Sequence, residues 1–70
     1  MPVVALRKIS DALHALSVVP HSGRSFPDDS PFSGSRYRVV RIRRRWSYQI
    51  VYSILDELVW IRLIVPSWLE

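Results

Sequence analysis

Arginine is the residue whose distribution in this chain points most directly to chemistry. Of the ten basic residues one is a lysine, Lys8, and six are arginines within residues 36–45. A guanidinium stays protonated and donates forked pairs of hydrogen bonds, so it suits carboxylates and phosphates but is a poor general base. We therefore interpret these arginines as a candidate surface for an acidic partner: Arg36, Arg38, Arg41, Arg43, Arg44 and Arg45.

The same region offers little for catalysis. General acid–base chemistry needs a titratable group within hydrogen-bond reach of the reacting bond. Between Arg36 and Val65 the chain has no histidine and no lysine, and its acids are Asp56 and Glu57. We expect no catalytic residue and leave enzymatic activity undecided, with a binding role favoured.

The two histidines do not form a second site. His14 and His21 have no further ligand at the spacing that metal sites use. Ser22, Ser25 and Asp28 lie near His21, but all are in a stretch without helix or strand patterning, so a catalytic triad is not indicated. We expect no metal and no cofactor.

The arginines lead into a segment that alternates at the period of a β-strand. Large side chains recur at every second position and small or polar ones lie between them, which assigns the two sets to opposite faces of a sheet. We expect the large set to face the core. The large set is Trp46, Tyr48, Ile50, Tyr52 and Ile54, and the other is Ser47, Gln49, Val51 and Ser53.

A third segment alternates less cleanly. Its pattern predicts one face made of Val59, Ile61, Leu63 and Val65 and another made of Leu58, Trp60, Arg62 and Ile64. Since the aromatic residues of the middle strand are assigned to the core, Trp60 and Arg62 are the better candidates for exposed contacts. The predicted strands are about 36–43, 46–54 and 58–65, with turns near Arg44–Arg45 and at 55–57.

Ahead of the strands the sequence predicts one helix and a long loop. Apolar residues recur at helical spacing over residues 3–18, and Pro20 ends the element. Residues 20–35 are rich in Pro, Gly, Ser and Asp, which is typical of a loop. We predict an α+β fold, a single small domain over residues 1–70 with an amphipathic helix packed on a three-stranded antiparallel meander. The expected buried stripe of the helix is Leu6, Ile9, Leu13 and Leu16.

The composition indicates the class of protein and the cellular compartment. The chain has 70 residues, no cysteine and a net charge of +4, which agrees with a small basic domain in a reducing cytoplasm. Residues 46–65 are long enough to span a bilayer, but Asp56 and Glu57 would each cost about 3 kcal/mol near its centre. We expect a cytoplasmic protein without a membrane segment.

Several short motifs, taken in order, resemble the RelE/ParE toxin superfamily. A leucine-bearing helix is followed by Pro20, Gly23 and Arg24, similar to the Pro-x-x-Gly-Arg passage of that family. Further on, the family's Gly-x-Arg, Tyr-x-Ile-x-Tyr and Val-x-Ile strand signatures are matched from about Leu6 to Val65. The matching residues are Gly34 and Arg36, then Tyr48, Ile50 and Tyr52, then Val59 and Ile61.

The resemblance implies the toxin of a type II toxin-antitoxin system. Toxins similar to ParE bind and poison DNA gyrase and need no catalytic base, so this branch is our first expectation. The alternatives are a RelE-like endoribonuclease that cleaves mRNA on the ribosome, and an inactive remnant or small basic binding protein without toxicity. Both toxin branches are neutralised by a cognate antitoxin with an acidic segment, for which the arginines, Trp60 and Arg62 are the candidate contacts in a hetero-oligomer.

Two features depart from the family pattern. The family has a strand and a helix ahead of the helix assigned here, and residues 66–69 stand where such toxins carry a His-x-x-Arg element. We expect either a truncated member or a true start that lies upstream of Met1.

Overall fold

The computed structural model describes residues 3–68, with side chains described for residues 3–67. Helix α1 spans Val3–Val18, and a 3-10 turn follows at Pro20–Ser22. The four strands are β1 at Arg24–Ser25, β2 at Arg36–Arg43, β3 at Trp46–Leu55 and β4 at Leu58–Trp68.

All four strands form one antiparallel sheet in the order β1-β2-β3-β4. The predicted α+β class is therefore confirmed. The expectations about the start of the chain and about Leu69 concern residues outside the described range.

The predicted number of strands was wrong by one. Within the segment predicted as loop, Arg24 pairs with Tyr37 and Ser25 pairs with Arg36, which makes β1 a short edge strand. A strand of two residues is too short to show alternation, so the sequence pattern carried no signal for it.

Helix α1 packs on the sheet with a different stripe from the predicted one. Ile9 and Leu16 are buried as expected, and Leu13 is half-buried, but Leu6 is 54% exposed. The stripe is completed by Ala5 and Ala12, which are buried at the same helical spacing. Small side chains let the helix backbone approach the sheet closely. The predicted stripe consisted only of large apolar residues, so it did not include the two alanines.

The sheet supplies the other half of the core from alternate positions of β2 and β3. Val40, Ile42, Ile50 and Tyr52 are buried against the helix. Trp46, Tyr48, Ile54 and Val59 are partly buried around them, so the predicted assignment of the large β3 residues to the core face is confirmed.

A bulge in β4 corrects the predicted faces of that strand. Tyr52 pairs with Ile61, whereas the preceding Val51 pairs with Leu63, so Arg62 is an extra residue on β4. An extra residue reverses the alternation beyond it. Leu63 therefore shares a face with Trp60, and Ile64 shares a face with Ile61, contrary to the simple period of two.

The second face of the sheet is partly covered by the loop between β1 and β2. The rings of Phe26 and Tyr37 lie 4.8 Å apart, and the hydroxyls of Ser35 and Ser53 lie 3.2 Å apart. These contacts help to explain why Val51 is only 2% exposed although it faces away from the helix.

The turns of the β3–β4 and β2–β3 hairpins have different backbone conformations. Asp56 and Glu57 have φ angles of 51° and 66°, the left-handed pair that a tight two-residue hairpin turn requires. The turn at Arg44–Arg45 needs no positive φ, and a register shift between Arg41 and Arg43 accompanies it.

Within residues 3–68 the structure contains no helix long and apolar enough to cross a membrane.

Candidate functional site: the arginine hairpin

Four of the predicted contact residues lie together at one end of the sheet. Arg41 and Arg43 of β2 are exposed on either side of the buried Ile42, and the turn that follows exposes two more arginines. The register shift at Ile42 places Arg41 opposite Ser47 and Arg43 opposite Trp46, so these two arginines belong to opposite faces at the end of the sheet. We call this group the arginine hairpin: Arg41, Arg43, Arg44 and Arg45.

Lys8 joins the arginine hairpin from the helix. Its Nζ donates hydrogen bonds to the carbonyl oxygens of Arg41 and Ile42 at 3.3 and 3.2 Å, where the β2 register shifts. The ammonium group thus satisfies carbonyls at an irregular part of the ladder and adds a fifth positive charge. Nothing in the sequence distinguished Lys8 from the other polar residues of α1, because the contact depends on how the helix is docked.

The arginine hairpin is not neutralised by the rest of the described chain. None of its four side chains forms a hydrogen bond or ion pair within residues 3–67. Asp56 and Glu57 lie in the turn between β3 and β4, at the other end of the sheet. Five of the ten basic residues of the chain are thereby gathered in one exposed place, which favours an anionic partner.

The surface is shallow. A depression of about 290 Å³ is lined by Lys8, Ile42 and three of the arginines, and a neighbouring one of about 340 Å³ extends past Asp11. An open, charged surface of this kind fits an extended or flat partner better than a small molecule, whose sites are concave and mostly apolar.

Two of the predicted contact residues have hydrogen-bond partners within the chain. Arg36 Nη1 donates to the carbonyl oxygen of Gly23 at 3.1 Å, and Arg38 Nη1 donates to Ser22 Oγ at 3.3 Å. Both arginines are half-buried and face the same side as Tyr52 and Ile50, with which they pair. They tie β2 to the segment after α1, while the exposed arginines lie further along the strand.

The other two predicted contact residues lie far from the arginine hairpin. Trp60 pairs with Ser53, seven residues along β3 from Trp46, a separation of about 23 Å at the usual rise of a strand. Arg62 Nε donates to Ser53 Oγ at 3.1 Å, and Trp60 is 53% exposed. The predicted contact residues therefore lie on more than one part of the described surface.

The motif residues from separate parts of the chain meet in one hydrogen-bonded cluster. The Tyr52 hydroxyl donates to the carbonyl oxygen of Pro20 at 2.8 Å and accepts from the Gly23 N–H at 3.1 Å. Arg36 bonds the Gly23 carbonyl from the other side. We call these four residues, Pro20, Gly23, Arg36 and Tyr52, the tyrosine cluster.

Gly23 is required in the tyrosine cluster by close approach. A Cβ there would collide with the Tyr52 hydroxyl and lie 2.8 Å from the carbonyl oxygen of Tyr37. Of the other motif residues, Ile50 is buried, Tyr48 is half-buried and Arg24 is exposed on β1.

Within the described residues, no three acidic or histidine side chains are grouped closely enough to hold a metal ion.

Comparison with known proteins gives no relative: no family model matches the chain, and no match is found among the curated proteins or the solved structures.

Proposed function

We propose that this protein is a toxin of the ParE-like kind, which acts by binding DNA gyrase and is held inactive by a cognate antitoxin. The observation that carries the proposal is the tyrosine cluster. Its residues come from three of the motifs on which the resemblance to RelE/ParE toxins rests, and they bond directly to one another. The contacts require the side chains of Tyr52 and Arg36 and the absence of a Cβ at Gly23, a dependence between separate motifs that alternating apolar residues in a sheet do not have.

The arginine hairpin supports a binding role over a catalytic one. Guanidinium groups bind phosphates and carboxylates but are poor general bases. Lys8, the nearest other cation, already donates to two carbonyl oxygens. A toxin that traps its target by binding needs a shaped, charged surface and no general base.

The same hairpin provides the contact for the antitoxin in this proposal. Exposed guanidiniums without internal partners can form forked hydrogen bonds to the carboxylates of an acidic segment. Binding through several such pairs would cover the hairpin and block access of the target, so neutralisation follows from occupation of one surface.

Inducible expression in a bacterial host tests the proposal. Growth arrest with filamentation and DNA-damage signalling is the expected result, because a trapped gyrase leaves broken chromosomal DNA. The variant Arg43→Glu with Arg45→Glu should relieve the arrest, while Arg7→Glu with Arg24→Glu, which changes the same amount of charge on other exposed residues, should not.

Other outcomes separate the alternatives. A rapid loss of translation with intact chromosomes would replace the gyrase target with mRNA on the ribosome. Normal growth, with the folded protein shown to accumulate, would contradict both toxin functions and leave a small basic binding protein.

A further inference from the structure

We propose that β4 is a self-association edge, at which two copies of this protein pair their β4 strands antiparallel and form one continuous sheet. This inference does not depend on the proposed function. It rests on the open edge of β4, on the side chains along it, and on the charges at its two ends.

The first observation is the length of the open edge. Within the described residues β4 spans Leu58–Trp68 and pairs on one side only, with β3. An unpaired edge presents a row of N–H and C=O groups that another strand can bond. Pro66 has no N–H to offer, so we assign the pairing to residues 58–65. Antiparallel pairing over that length supplies about eight backbone hydrogen bonds, near the roughly ten of a typical protein interface.

The second observation is that the edge is apolar on both faces. Isolated exposed apolar residues are ordinary, but here they follow one another along a single strand. The exposed members are Leu58 at 61%, Trp60 at 53%, Ile61 at 42%, Ile64 at 37% and Val65 at 37%.

The charge that would normally protect such an edge is turned away from it. Arg62 is the one charged residue in 58–65, and edge strands commonly use charges to prevent pairing. Its Nε donates to Ser53 Oγ at 3.1 Å, which directs the guanidinium over its own β3. The edge itself is left with apolar side chains.

The bulge selects the register. If Leu58 lies opposite Val65 of the second copy, then Val59 lies opposite Ile64 and Trp60 lies opposite Leu63. Because Arg62 is an extra residue, both members of each pair are on the same face of the sheet. Without the bulge this register would place apolar residues on opposite faces.

The two ends of β4 lie beside turns of opposite charge. This complementarity identifies a second copy of the chain as the molecule that pairs with the edge. The acidic turn Asp56–Glu57 precedes β4, while the turn at Arg44–Arg45 lies beside the far end of β4, where Trp46 pairs with Trp68. Antiparallel pairing brings the acidic turn of each copy to the basic end of the other. Backbone spacing places Glu57 about 14 Å from Arg45 of the second copy, and the side chains bring their charges within the screening length of about 8 Å.

Sedimentation velocity of the full chain over a concentration series tests the association. The expected result is a concentration-dependent dimer of twice the 8.2 kDa chain mass. Ile64→Lys should weaken dimerisation by at least about tenfold, since an edge lysine opposes pairing. Val39→Lys is the matched control, because Val39 is also exposed, at 51%, but lies on β2.

Charge reversal tests the antiparallel arrangement. Glu57→Arg and Arg45→Glu should each weaken self-association by about tenfold, because two attractive contacts per dimer become repulsive. An equimolar mixture of the two variants should recover the wild-type dimer, since each acidic group then meets a basic one. Asp29→Arg, a reversal in the loop before β2, should leave the dimer unchanged.

Several results would overturn the proposal. One is a protein that stays monomeric up to roughly 1 mM, a concentration at which association worth only about 4 kcal/mol would be visible. A second is a dimer that Ile64→Lys leaves intact, or one that the mixed variants fail to restore. A third is β4 amides whose hydrogen exchange slows only when a foreign peptide is added, which would assign the edge to another protein.

Discussion

Tyr52 serves the fold in two ways. Its ring is fully buried under α1, and its hydroxyl bonds the backbone at Pro20 and Gly23, where the chain leaves the helix. A buried hydroxyl that both donates and accepts contributes to stability, and it also determines how the following segment is placed.

Tyr52→Phe should therefore lower the free energy of unfolding by about 1–3 kcal/mol, because two backbone groups lose their partner. Tyr48→Phe is the matched control: it lies on the same face of β3, and its hydroxyl makes no hydrogen bond within the described residues. Urea denaturation followed by tryptophan fluorescence measures both. Equal losses in the two variants would show that the hydroxyl of Tyr52 makes no special contribution.

At the scale of elements, the β3–β4 hairpin is built on a turn whose residue types do not suit it well. Both central residues have positive φ, and Glu57 lacks the freedom of the glycine that tight hairpin turns favour at that position. The hairpin forms because the paired strands compensate for the local strain.

Glu57→Gly should raise the free energy of unfolding by about 0.5–1 kcal/mol, since glycine adopts φ near 66° without the steric cost. Glu57→Ala keeps the strain and serves as the control for removing the charge. Thermal unfolding followed by circular dichroism, at a concentration where the chain is monomeric, compares the two. A loss of stability in Glu57→Gly would contradict this explanation of the turn.

In the proposed toxin function, the β2–β3 hairpin is the element on which contact with the antitoxin depends. Arg41→Glu with Arg43→Glu should weaken binding of the cognate antitoxin at least about tenfold, because forked hydrogen bonds to carboxylates are replaced by repulsion. In this proposal the ligand to titrate, by calorimetry, is an acidic antitoxin encoded by a neighbouring gene. Arg7→Glu with Arg24→Glu should bind as the wild type does, and unchanged affinity in both variants would place the interface elsewhere.

At the scale of the whole molecule, the core of the described residues lies between helix α1 and one face of the sheet. A domain of this size has only a few kcal/mol of net stability, so single core residues matter greatly. Leu16 is fully buried in α1, whereas Leu6 of the same helix is 54% exposed.

Leu16→Ala should cost about 2–5 kcal/mol, enough to unfold most of the population at room temperature. Leu6→Ala makes the same chemical change at an exposed site and should cost less than about 0.5 kcal/mol. Far-ultraviolet circular dichroism and thermal unfolding measure both variants. A large loss in Leu6→Ala would indicate that the predicted stripe, and not the observed one, faces the sheet.

The sequence alone was sufficient for the α+β class, the helix over residues 3–18 and the core face of β3. Those features depend on local periodicity, which a strand such as Trp46–Leu55 repeats many times. It also gathered six of the arginines on one strand and the turn after it, but it did not show which of them are exposed.

Tertiary structure decided the remaining features. Strand β1 exists only through its pairing with β2, and the buried side of α1 was determined by Ala5 and Ala12 at the close contact with the sheet. The bulge at Arg62 reversed the faces of β4, which no pattern along that strand could reveal. Arg36 and Arg38 were separated from the arginine hairpin by bonds to residues 13 and 16 positions away, and such long-range contacts depend on how the elements pack.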